Sequence, residues 1–143
     1  MAYKSIYKLK NINKYIGDPD KIVCRSTWER KVCKYLDGNE NVLKWASEEL
    51  HIPYFSPIDK KWHRYYPDFL AEIKDNENKV KKYIIEVKPF KQTVIPKQRK
   101  NKNAFLKEMK TFAINNSKWE AAKKLCDENG WIFKLLTEKE IFK

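Results

Sequence analysis

What this sequence lacks narrows it first. No run of about 18 apolar residues occurs, so no membrane-spanning helix is expected. The amino terminus MAYKSIYKLK has no apolar core of the signal-peptide kind, which points to a soluble protein that is not exported. Cysteine is limited to Cys24, Cys33 and Cys126, odd in number, far apart and without a C-x-x-C pair. That argues against a disulfide framework and a zinc knuckle, and leaves three reduced thiols packed in the interior. His51 and His63 lack H-x-x-x-H spacing, so a histidine zinc site is also set aside. Glycine is scarce, three in 143 residues, and no internal repeat or low-complexity tract occurs; with 42% hydrophobic content this suits one compact domain. Negative charge is short too. Nineteen acids stand against 31 Lys and Arg, and the formal +12 exceeds what solubility requires, so a polyanion, nucleic acid first, is the expected partner.

Along the chain, residues 1–25 are basic and aromatic without a clear period and are expected to form an arm or lead-in, leaving 26–143 as a single domain. Ser26-Thr27-Trp28-Glu29 fits an S-x-x-E capping box, and Trp28, Val32, Cys33, Tyr35 and Leu36 follow at helical spacing, predicting a helix from about 27 to Asp37 that ends at Gly38-Asn39. Residues 50–55 read as a short strand, with Pro53 favouring an edge or a bulge. Residues 62–73 and 80–88 read as the arms of a hairpin turning at Asp75-Asn76-Glu77-Asn78. A loop follows Pro89. A long helix is predicted from about Asn103 to Asn129, closed by Gly130 at the position after its cap, then a strand over 131–136 and a turn capped by Thr137 and Glu140. Helix, three strands, helix, strand is a mixed α/β layer order.

The strand over 80–88 places Glu86 and Lys88 two apart, on the same face as Ile84, while Tyr83, Ile85 and Val87 face the other way. Asp68 follows Pro67 on the neighbouring arm, close to Glu86 once modest register slip is allowed. Two converging carboxylates form a hard oxygen site suited to Mg²⁺. A neighbouring ammonium can hold an attacking water, help deprotonate it, and offset charge on a phosphate. This is equipment for phosphodiester hydrolysis. Glu48-Glu49 could reach the metal, but they precede a strand at a loop, and solvated charge is the favoured reading. Trp119 and Trp131 read as core. For DNA contact the expected surfaces are Arg30 and Lys31 on the first helix, Arg64, and the block Lys97, Arg99, Lys100 and Lys102. Such contacts meet phosphates and are blind to sequence. No recognition-helix or zinc-finger pattern suggests base reading.

Pro67-Asp68, then Glu86-Val87-Lys88, resembles the PD-(D/E)XK nuclease superfamily, and the element order is the one that superfamily uses. The string RSTWERKVCKYLDGNENVLKWASEELHIPYFSPIDKKWHRYYPDF, followed by IIEVKP, QT and KWEAAKKLC, is similar to the head completion nuclease family of tailed phages with contractile tails, over about residues 6 to 140. The resemblance implies a restriction-endonuclease-like α/β fold, a central mixed sheet flanked by helices. It also implies Asp68 and Glu86 as metal ligands, Lys88 as the lysine of E-x-K, and Glu29 as the acid many such nucleases add from the helix before the sheet. A capping role for Glu29 is the alternative. Gln92-Thr93 matches the family string without a mechanism. The expected function is a Mg²⁺-dependent endonuclease acting on double-stranded DNA with little sequence preference. It would work in the virion, and in the host cytoplasm during assembly, beside head or portal proteins. A homodimer stays open. The competing expectation is a structural DNA-binding protein of the virion that stabilises or plugs the filled head without cutting.

Overall fold

The computed structural model describes residues 4–142, so the first three residues of the expected lead-in lie outside the described ones. In chain order its main elements are β1 (Ser5–Ile6), β2 (Val23–Cys24), α1 (Thr27–Gly38), β3 (Val42–Ser47), β4 (Ile52–Phe55), β5 (Trp62–Tyr65), β6 (Phe69–Lys74), β7 (Val80–Val87), α2 (Lys102–Asn129), β8 (Ile132–Leu136) and α3 (Glu138–Ile141). The central sheet has the order β3-β6-β7-β8. β3, β6 and β7 are antiparallel, and β8 returns parallel to β7. A parallel neighbour needs a crossover connection, and α2 is that crossover. Each helix covers one face. Val32, Cys33 and Leu36 of α1 pack with Trp45, Phe69, Ile85 and Val87, whereas Trp119, Ala122 and Cys126 of α2 pack with Ile84, Tyr54 and Tyr65. The alternation along β7 is the one its sequence demands. Trp45 and Phe69 are almost wholly buried, and burying an apolar side chain of that size contributes about 1.5–3 kcal/mol.

The caps of both main helices are formed, three as the sequence predicts and one, Asn101, two residues before the expected start of α2. The Ser26 hydroxyl accepts the Glu29 N–H at 3.1 Å to start α1. Asn101 caps α2 through its side-chain oxygen, and Gly130, at φ 70°, closes it with its N–H on the Cys126 carbonyl. The Thr137–Glu140 capping box is also formed.

Three strand expectations need correction. The first strand of the central sheet is β3, which the sequence does not announce: a register shift between Val42 and Lys44 breaks the alternation, and Trp45, Ala46 and Ser47 are all buried. The strand over 50–55 instead pairs only with β5, in a separate two-stranded hairpin that carries Pro53 on its edge. The expected strand over 62–73 is split into β5 and β6, because Pro67 has no N–H to continue a ladder.

Residues 4–25, the rest of the lead-in, dock along the body. Tyr7, Ile22 and Cys24 are buried in the α1-side core. Ile16 donates to the Trp45 carbonyl at 2.8 Å, and a parallel bridge between Tyr15 and Trp45 lays the lead-in against the outer edge of β3. Asp37, itself buried at the end of α1, accepts from the Tyr7 hydroxyl at 2.9 Å and from the backbone of Lys10 at 2.8 Å and Asn11 at 3.0 Å.

Candidate active site

The ends of β3, β6 and β7 meet the first turn of α1, and every acid singled out above except Glu49 gathers there. At the Pro67 break the strand ladder is completed by a side chain: the Asp68 carboxylate accepts the Val87 N–H at 2.8 Å, while the Asp68 carbonyl accepts the Glu48 N–H at 3.2 Å. The carboxyl is thereby fixed by backbone at the sheet's end. The β6–β7 register pairs Phe69 with Ile85, so the next step puts Asp68 opposite Glu86. Glu86 is 5% exposed and lies on the α2 face with Ile84. The register sets the two carboxyls side by side, close enough for their charges to interact. Lys88 follows, half-buried, its N–H donating to the Leu136 carbonyl of β8 at 2.9 Å.

Burial dominates the electrostatics. It raises the Asp68 carboxyl well above its usual range, with the Glu86 charge adding to the rise. Burial also raises Glu86, and the Lys88 ammonium opposes it. Glu29 is pushed up to about 7, by burial first and by the Asp68 charge second. Its carboxylate still receives the Arg25 N–H at 3.3 Å and the Ser26 hydroxyl at 3.4 Å. Glu29 therefore serves the helix start and faces the site at once. Glu48 sits in left-handed backbone at φ 54°, and Arg25 clamps its carboxylate through Nε at 3.0 Å and Nη2 at 3.2 Å. Oxygens of Glu29, Glu48 and Asp68 lie within 4.8 Å of one another. Carboxylates crowded in this way resist ionising together, and hard oxygen donors converging at this range fit a divalent cation that would relieve the repulsion.

Comparison with known proteins agrees with this geometry. Residues 39–138 match the family described as TnsA-like endonuclease N terminal. This chain belongs to the TnsA-like endonuclease family. A head completion nuclease of Enterobacteria phage T4 is 38% identical to it, over 96% of this chain and 93% of that protein. The endonuclease fold is restriction-endonuclease-like, with α1, β3, β6, β7, α2 and β8 as its core and the β4–β5 hairpin inserted between the first two core strands. Nucleases of this fold typically use divalent metal. Asp68, Glu86, Lys88 and Glu48 lie inside the matched segment, and Glu29 lies just before it.

Three residues of the candidate site were passed over or missed in the sequence. Glu48 was set aside as solvated charge, because its turn of backbone is not marked by glycine, asparagine or proline. Tyr65 is buried with its hydroxyl unpartnered beside Glu86, as is the indole N–H of Trp119. Lys118 on α2 is half-buried with its ammonium 5.8 Å from the ring centres of both Tyr54 and Tyr65. Burial lowers its pKa, and the Glu86 charge opposes the fall. KWEAAKKLC carried the clue, a lysine beside the buried Trp119.

The cations expected to meet DNA are spread more widely. Arg30 turns toward the lead-in, over the Tyr7 ring at 5.6 Å, and Lys31 lies over Phe142 at 4.4 Å. Arg64 is exposed on β5 opposite Pro53. Lys97 and Lys100 are exposed on the loop leading into α2 and Lys102 is exposed at its first position, and Arg99 on the loop pairs with Glu108. Glu49 is exposed, His63 bonds Asp59, and Trp131 is half-buried under Lys82.

Proposed function

We propose that this endonuclease hydrolyses phosphodiester bonds of double-stranded DNA with little sequence preference, using Mg²⁺, at the stage when a phage head is completed. The observation that carries the reading is the convergence of Asp68, Glu86 and Lys88 beside the Glu29–Glu48–Asp68 trio. A T4 relative named a head completion nuclease supports the setting, in the host cytoplasm during assembly and then in the virion, beside head or portal proteins.

In this reading Asp68 and Glu86 hold the ion, with Glu48 and Glu29 completing its surroundings. Bound there, Mg²⁺ supplies Lewis acidity toward a phosphate oxygen and lowers the pKa of water. The chain does the rest. The Val87 N–H and the Arg25 guanidinium keep Asp68 and Glu48 from swinging away, so the acids are preorganised. Lys88 stands at the scissile phosphate, where its charge offsets the negative charge that grows as the bond to the leaving oxygen breaks. The surrounding cations grip phosphates, which gives affinity without sequence.

Asp68→Ala and Glu86→Ala should each lower cleavage of supercoiled DNA by at least about a thousandfold in Mg²⁺, the scale associated with removing a preorganised electrostatic group. DNA binding in EDTA should persist or tighten, because a carboxylate facing phosphate has gone. Lys88→Ala should lose cleavage and bind slightly more weakly. If wild type leaves supercoiled, linear and branched DNA uncut while all proteins bind equally, the protein is a structural DNA binder and the nuclease proposal fails.

A further inference from the structure

A second cavity opens beside the acids. It is a cleft of about 650 Å³ between the loop over residues 91–99 and the first half of α2. A smaller hollow lined by Glu29, Lys88 and Pro89 adjoins it, and Gln92 lines both. No task for Gln92 is legible in the sequence; its place is the threshold between the two spaces.

The cleft walls differ in chemistry. Val94 and Ile95 form an apolar loop wall, 43% and 69% exposed, facing Phe112 of α2. Lys91, Lys97 and Lys107 stand around it. Asn115, three residues after Phe112, is 6% exposed and lines the cleft, and its amide has no hydrogen-bond partner among the described residues. The amide opens onto the cleft while the rest of the residue is packed, so the side chain is held in place to hydrogen-bond a ligand there. That ligand has flat apolar faces for Phe112 and the loop, an edge that both donates and accepts for Asn115, and negative charge for the lysines. An unpaired nucleotide has all three. In a duplex the faces are stacked and the edges paired, and the cleft falls within the roughly 300–1,000 Å³ of small-ligand sites, far short of double-stranded DNA.

We propose that this cleft holds an unpaired nucleotide next to the scissile phosphate, so that the preferred substrate is DNA with a single-stranded segment at the cut, such as a flap or branch. The inference rests on the nuclease reading for its substrate but not for its binding. The cations alone would serve any DNA. The buried amide and apolar wall single out an exposed base.

Two measurements test it. In EDTA, fluorescence anisotropy compares a short oligothymidylate with a duplex of equal length. Asn115→Leu, and separately Val94→Ser with Ile95→Ser on the exposed loop, should weaken single-strand binding by about tenfold and duplex binding by less than about twofold, as expected when one base is no longer held. Single-strand and duplex affinities that fall together, or do not fall, overturn the proposal. The loop variant guards against misfolding, since its side chains are exposed. In Mg²⁺, wild type should cut a flapped duplex at least about tenfold faster than the plain duplex, a ratio equivalent to holding one such base. Equal rates overturn the cleft proposal and leave the nuclease reading standing. No cleavage of any DNA overturns the nuclease reading, and the anisotropy result still decides the cleft.

Discussion

Glu29 shows how one side chain can answer to two readings. Its spacing from Ser26 foretold the helix cap, and its likeness to a nuclease acid foretold the site; the carboxylate faces both. Its charge is the costly part. The ordinary value of 4.5 rises to about 7 in the folded protein, so below about pH 4.5 both states hold the proton and no penalty applies. As pH climbs toward 7 the unfolded chain gives up the proton first, and this part of the stability is lost. Urea unfolding of the metal-free protein should therefore show Glu29→Gln gaining on wild type between about pH 4.5 and 7, by on the order of 1–2 kcal/mol after solvent screening. A difference that stays flat across that range contradicts the site's crowding. Glu48 makes the companion case. Nothing in Ser47-Glu48-Glu49 marks a turn, and only the fold, by carrying β3 to the start of β6, delivers it to Asp68. Glu48→Gln should weaken Mn²⁺ binding by about tenfold in a calorimetric titration, the size of effect seen when an acid at or just behind a metal is neutralised.

At the level of elements, legibility followed local chemistry. Both main helices and the final strand could be read because caps and glycine state their own limits, whereas β3 could not, since a bulge and a run of buried residues erase the two-residue period. The expectation that 62–73 was one strand failed at Pro67, although that residue is part of the motif that revealed the site. The same break that ends β5 frees the Asp68 carboxylate to take the Val87 N–H. Gly130 governs the far end of α2. At φ 70°, with open space where a Cβ would project, its substitution is a test of backbone alone. Gly130→Ala should cost about 1 kcal/mol in chemical denaturation, from the left-handed conformation, without a cavity or clash. A neutral result would mean that α2 ends by some other device.

For the whole molecule, the +12 charge pointed to nucleic acid before any motif did. Which cations act is less legible, because Arg30 and Lys31 read in sequence as DNA contacts yet lie over Tyr7 and Phe142. Lys97, Lys100 and Lys102 remain exposed and able to meet phosphate. Replacing Lys97, Arg99, Lys100 and Lys102 by Gln should weaken binding evenly across DNA sequences and shallow the log–log salt slope by roughly 0.9 for each phosphate no longer neutralised. An unchanged slope would reduce the block to a solvated loop. The brace behind Lys88 acts on a different axis, that of time. Its backbone is tied to Leu136 on the strand that enters the sheet last, after the whole of α2 has been made. Chains emerge from the ribosome amino end first and domains fold as units. The acids are thus translated early, but Lys88 gains its backbone anchor only when β8 docks. Under the role proposed for Lys88, a nascent chain would be harmless to the DNA around it, and cutting power would arrive with the closing strand.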